Sequence, residues 1–293
     1  MEVLIIILIC YSCLLGNLIA EDIIPTNGVI KDGETIVSPQ GNFELGFFSP
    51  GNSQNRYLGI WYKKVSSGTV VWVANRNAPL QDKSGVLTVT TQGILALIAN
   101  VTNTVIWSSN SSSLPNNANP VAQLLDVGNL VVKQGNGNNV LWQSFDYPTD
   151  TLLPGMQFGI DRKTGLNKFI ASWKNNDDPA EGVFKYRCDP QGYPQFFMTD
   201  GSTKSYRLGS WNGITFSGVP RPGNNIYKLD FTFNEEGIYY IYEIANSSIF
   251  SRFVPSQNGV LQRKIWIDQN KGWVVTGIGS RVITLVDVSE KHP

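Results

Sequence analysis

Two stretches of this chain share one spacing. Gly93 opens an apolar strand and Trp107 follows 14 residues later; Gly128 opens another and Trp142 again follows after 14. A similar opening, Gly41-Asn42-Phe43, begins a longer copy that carries an insertion near residues 49–56 before Trp61. A repeat of this length is a hairpin-sized unit that cannot bury its apolar face alone. Three such sheets are therefore expected to pack around a shared axis with Trp61, Trp107 and Trp142 inside, as a three-sided prism. The repeat around Gly128 reads as a strand over residues 124–132, a Gly/Asn turn at 135–139 and a second strand at 140–142, with Pro148 stopping the sheet.

Short Val-, Ile- and aromatic-rich runs separated by Gly, Asn, Ser and Pro continue along the rest of the chain, with no helical period. The expected class is all-β. Strands are expected in the second half over residues 169–173, 182–188, 194–199, 204–208, 227–234, 238–245, 249–254 and 259–268. Gly259 to Trp273 again spans 14 residues, so a second, diverged prism is expected, with residues 155–165 as the joint.

Residues 1–20 form an apolar run ending at Leu18-Ile19-Ala20, which suits a cleaved signal peptide despite an acidic flank. No later stretch is apolar enough to span a bilayer, so a secreted product is expected. Asn100, Asn110 and Asn246 each begin an Asn-x-Ser/Thr acceptor sequence for glycosylation. Removal of the leader would leave Cys188 as the one thiol, either buried beside Phe184 and Tyr186 or free to pair with another chain.

The net charge is zero with 16% charged residues, which gives no basic footprint for nucleic acid. The one histidine, His292, is next to last, so histidine acid–base chemistry is not expected. Carboxylate pairs such as Asp177/Asp178 and Glu235/Glu236 lie in polar turns and read as solvated. No catalytic residue, metal site or cofactor is expected.

Several longer stretches go further: residues 30–38 (IKDGETIVS), 42–49 (NFELGFFS), 57–63 (YLGIWYK), 71–76 (VWVANR), 141–154 (LWQSFDYPTDTLLP) and 210–213 (SWNG). In this order they resemble the extracellular part of plant S-domain receptor-like serine/threonine kinases and the S-locus glycoproteins. The resemblance implies a bulb-type lectin domain over residues 21–154 and an S-locus glycoprotein domain over 155–275, both β-prisms. It implies an extracellular recognition module that binds a protein, peptide or glycan ligand, with recognition of pollen among the family's roles. Relatives usually continue into Cys-rich, membrane and kinase segments, whereas here residues 276–293 diverge. A truncated ectodomain without kinase activity is expected, its tail lacking a native partner except for an edge strand at 281–288. A secreted decoy or co-receptor that pairs with a full-length kinase, in homo- or heterodimers, and a carbohydrate-binding lectin are the alternatives.

Bulb lectins hold mannose with Gln-x-Asp-x-Asn-x-Val-x-Tyr, in which amides, a carboxylate and a hydroxyl bond the sugar. The corresponding positions here read Ser38, Gln40, Asn42, Glu44 and Gly46; Thr90, Gln92, Ile94, Ala96 and Ile98; and Leu125, Val127, Asn129, Val131 and Lys133. Asn42, Asn129 and Val131 are the remnants. Without the carboxylate, mannose binding is expected to be weak or absent, and Asn42 and Asn129 are expected to stabilise turns. A ligand surface is expected instead on loops 174–181, 201–207 and 219–225, with Tyr206, Arg207 and Arg221 exposed.

Overall fold

The computed structural model describes residues 22–109, 119–135, 137, 139–211, 216, 226–246 and 248–279. The expected leader, the Asn110 acceptor, Arg221 and the tail beyond residue 279 lie outside them. Apart from one short 3-10 turn at Ser144–Asp146, the regular structure of the described residues is all strand, in six antiparallel sheets.

Two short strands, β1 (Ile23–Ile24) and β2 (Val29–Lys31), precede the first sheet, β3 (Thr35–Val37), β4 (Phe43–Phe48), β5 (Tyr57–Tyr62) and β6 (Val70–Val73). β7 (Gly85–Val89), β8 (Leu95–Ala99) and β9 (Thr104–Ser108) take β2 as their edge. β10 (Pro120–Leu124), β11 (Leu130–Gln134) and β12 (Val140–Gln143) take β1. Each N-terminal strand thus closes a sheet built much later in the chain, which ties the three together.

The three sheets are copies of one design. In each, a tight turn leads into the second strand: Gly41 N donates to Ser38 O, Gly93 N to Thr90 O and Gly128 N to Leu125 O. The three glycines have φ of 72°, 78° and 85°, a left-handed conformation that glycine adopts without strain. The expected single strand over residues 124–132 is therefore wrong. Residues 125–129 are a turn, and β10 folds back on β11 with Leu124 opposite Leu130.

At the far end of each hairpin a tryptophan faces the axis. Trp72 pairs with Ile60, Trp107 with Leu97 and Trp142 with Val132. The three rings meet edge to face, with centroids 5.7–6.0 Å apart. Trp72, and not Trp61, is the third member. Trp61 sits one residue past Ile60 on β5, so strand alternation turns it to the opposite face, where its Nε1 donates to Glu44 at 3.1 Å.

Three further sheets follow. β13 (Phe158–Asp161) and β14 (Asn167–Lys168) precede the sheet of β15 (Ile170–Asn175), β16 (Asp178–Asp189), β17 (Gln195–Asp200) and β18 (Thr203–Leu208). β19 (Tyr227–Phe233) and β20 (Gly237–Ile244) complete the order β14-β13-β20-β19. β21 (Ser251–Pro255), β22 (Leu261–Ile267) and β23 (Gly272–Gly279) form the last sheet. The segment expected as a joint instead supplies β13, because Phe158 is fully buried and stacks on Tyr186 at 5.3 Å. The segment expected to lack a partner begins inside β23, where Thr276–Gly279 runs beside β22 with Gly279 opposite Leu261.

The two groups of sheets share one continuous apolar cluster. Tyr62 of β5 is fully buried against Phe250 and Trp273, and its hydroxyl donates to Ser251 O at 2.9 Å. Buried Arg76 donates to the carbonyls of Pro179, Ala171 and Ser172, neutral acceptors that hold the β15–β16 hairpin down. Cys188 is buried on the inner face of β16, and burial pushes its thiol up to about 12, so it packs as a small apolar group.

Candidate functional site

The three turns that correspond to sugar positions are occupied by the protein's own bonding. Asn129 is buried; its Nδ2 donates to Gln143 Oε1 at 2.9 Å, while Oδ1 accepts from Ser144 Oγ and Phe145 N, both at 3.2 Å. Val131 is buried beside it on β11. Facing Asn129, a cavity of about 460 Å³ is lined among others by Val127, Gln143, Asp146, Gln157, Lys168 and Glu243. Lys168, buried on β14, binds Asp146 at 2.6 Å, so the later sheets close over this turn. At the first turn, Asn42 Nδ2 donates to Asp126 O at 3.3 Å and Gln40 N to Asp126 Oδ1 at 2.7 Å, joining the first copy to the third. Burial alone would raise the Glu44 carboxyl there, but hydrogen bonds from Lys63, Thr35 and Trp61 outweigh it and hold it below its usual range. At the second turn Thr90 Oγ1 accepts from Ile94 N at 3.1 Å, and Ala96 is buried.

The expected ligand loops fare unevenly. Residues 174–181 are mostly hairpin rather than free loop, and the hairpin is docked on the first group of sheets. Asp177 accepts from Asn52 N at 2.8 Å, and Glu181 N donates to Asn77 at 3.1 Å. Tyr206 is half-buried and packs against the core, because it pairs with buried Met198 on the inner face of its sheet. Burial raises its hydroxyl pKa, and Tyr240 adds to this. Arg207 alternates to the outer face and is exposed.

That outer face carries a charge pattern that no local sequence motif announces. Arg187 of β16, Phe197 of β17 and Arg207 of β18 lie side by side in register. Phe197 is only 5% exposed although it points outward, since Arg187 and Lys204 lie over its ring at 5.2 and 4.3 Å. With Lys185 the face holds four cations. Its acids are Glu181, which pairs with Lys185, and Asp189, which pairs with Lys204 at 3.1 Å. Arg187 and Arg207 form no salt bridge among the described residues.

Of the glycan acceptors, Asn100 and Asn246 are exposed in turns, and Asn246 Oδ1 accepts from Ser248 N at 3.0 Å. Among the described residues no three metal-ligating side chains come together, and no helix is long and apolar enough to cross a membrane.

Two family models match the chain: D-mannose binding lectin over residues 69–174 and S-locus glycoprotein domain over 206–281. S-locus-specific glycoprotein S6 of Brassica oleracea is 44% identical over 241 residues, 81% of this chain and 55% of that protein. Receptor-like serine/threonine-protein kinase SD1-8 of Arabidopsis thaliana is 44% identical over 248 residues, 83% of this chain and 29% of that protein. The chain's homologues are the S-locus glycoproteins and the G-type lectin S-receptor-like kinases. This S-locus glycoprotein homologue spans about half the length of the first and under a third of the second. Among solved structures, a monomeric monocot mannose-binding lectin from Gastrodia elata aligns with 42% of this chain and 94% of its own, at 19% identity and a TM-score of 0.33.

Proposed function

We propose that this S-locus glycoprotein homologue is an extracellular ligand-recognition module that acts by binding, in two units meeting near Pro154, without mannose as its ligand. The contact surface is the outer face of β16–β18, and the ligand is an acidic peptide or an acidic protein surface. The observation that carries this reading is the pair Arg187 and Arg207, exposed in register around a covered aromatic ring and forming no salt bridge among the described residues. Arginine beside an aromatic ring is a composition favoured at the centres of protein interfaces, and a surplus of positive charge speeds encounter with an acidic partner. Among the described residues β18 is also the edge of its sheet, a place where an extended peptide can add as a strand.

Peptides selected by phage display on the intact chain test this, with selection repeated on the R187E/R207E double variant. Peptides from the first selection are expected to carry net negative charge and to bind the double variant at least about tenfold more weakly, the equivalent of one lost charge-assisted contact. Neutral or basic peptides, or acidic ones indifferent to the double variant, would remove this face from the account.

A further inference from the structure

Where the two groups of sheets meet they leave a groove of about 800 Å³, lined among others by Trp173, Asn176, Arg252, Gln257, Asn258 and Lys264. Its charge is unbalanced. Asp150 is buried in the wall, 3.7 Å from Arg252, and feels the buried Arg76 as a second cation. Two guanidinium groups therefore act on this carboxylate, Arg76 also feeling Glu181 and Asp178. The Lys264 ammonium forms no hydrogen bond or ion pair among the described residues, and it is pushed down first by burial and then by Arg252, which the weaker pull of Asp150 does not offset. A third cation in such a place is relieved by an anion from outside.

The remaining lining supplies other kinds of contact. Trp173 stacks on Phe48 at 6.5 Å, which fixes an indole ring in the wall. Trp173 Nε1 and Arg252 Nε are buried donors without an acceptor among the described residues, and buried donors are normally satisfied. Gln257 Nε2 bonds Asn176 Oδ1 at 2.9 Å, and Asn258 lies alongside, so the rim is amide-rich. Cations, a fixed aromatic ring and rim amides in one groove match a ligand that has a carboxylate, a C–H-lined face and several hydroxyls.

We propose that this groove binds a short acidic oligosaccharide, with its carboxylate on Arg252 and Lys264, a sugar ring on Trp173 and hydroxyls facing Asn176, Gln257 and Asn258. The site is built from both groups of sheets and is separate from the three degenerate turns and from the outer face of β16–β18. It explains why the Lys264 ammonium stands half-buried without a hydrogen bond or ion pair among the described residues.

Calorimetric titration of the intact chain with α-1,4-linked trigalacturonate tests the proposal, beside neutral galactotriose and the non-sugar polyanion tricarballylate. Saturable binding of trigalacturonate is expected, with galactotriose and tricarballylate at least tenfold weaker, as about one charged contact or one stacked ring would give. Lys264→Gln is expected to weaken trigalacturonate about tenfold and Trp173→Phe several-fold, both with unchanged melting of the free chain. The absence of saturable binding would overturn the proposal. So would equal binding of galactotriose, which would show a neutral-sugar site, or equal binding of tricarballylate, which would show a simple anion site. Indifference to both substitutions would also reject it, by placing the ligand elsewhere.

Discussion

Replacing Trp72 with alanine is expected to lower the unfolding free energy by about 4 kcal/mol, within the ~3–5 kcal/mol typical of buried aromatic truncations. Trp72 is 3% exposed, meets Trp107 and Trp142 edge to face, and donates Nε1 to Tyr147 O at 2.9 Å. The substitution removes ring contacts worth about 0.5–1.5 kcal/mol each and opens a cavity where three sheets converge. Trp61→Ala, on the outer side of the neighbouring strand, is expected to cost less than about 2 kcal/mol, since that ring is only partly buried. Urea unfolding followed by tryptophan fluorescence and circular dichroism distinguishes the two. Equal losses at both positions would mean that the three-ring centre is not what holds the sheets together.

Arg263 should give the other large effect. Its guanidinium lies over the rings of Tyr227, Tyr242 and Phe253 at 4.6, 4.4 and 5.2 Å and donates to the Tyr240 hydroxyl at 2.8 Å. Among the described residues it forms no salt bridge, and its Nη1 is buried without a partner. Aromatic faces therefore stand in for a carboxylate, at about 2 kcal/mol or more for a desolvated cation. Arg263→Ala leaves the ring cage empty and is expected to cost about 3–5 kcal/mol. Arg263→Met fills the cage without an unpaired donor and is expected to fall within about 1 kcal/mol of the wild type, because a well-packed apolar replacement often matches a buried charge. If the methionine variant unfolded as readily as the alanine one in the same urea titration, the cation itself, and not the volume, would be essential.

Much of the β-sheet frame could be read from the chain because alternation and turn residues act locally. Strands β17, β18, β19 and β20 fall within a residue of the expected runs for that reason. The turn at residues 125–129 was hidden by its flanks, since Leu124-Leu125 and Leu130-Val131-Val132 look like one apolar run. Comparison with Gly41 and Gly93, which sit in the same turn, would have exposed it. Trp72 is not marked by spacing, because the 14-residue interval fails in the longest copy, where only the facing residue Ile60 settles which ring points inward. Tyr206 and Arg207 are both polar-tipped residues of one short run, but as neighbours on a strand they face opposite ways, so only Arg207 reaches the outer face.

The candidate sites were less legible for a different reason. Arg187, Phe197 and Arg207 are each 10 residues from the next, and only the register of three strands makes them neighbours. The groove is more remote still, since Trp173, Arg252 and Lys264 come from three strands in two sheets. Charge clusters of this kind depend on how strands pair, and pairing is a property of the whole chain.

The central claim is that recognition lies outside the mannose positions, where the Ser38, Asn42, Thr90 and Asn129 side chains are taken up in holding turns together. Calorimetric titration of the intact chain with methyl α-mannoside tests this most directly. The account predicts no saturable heat up to millimolar sugar; a dissociation constant below about 1 mM, equivalent to about 4 kcal/mol of binding, would contradict it.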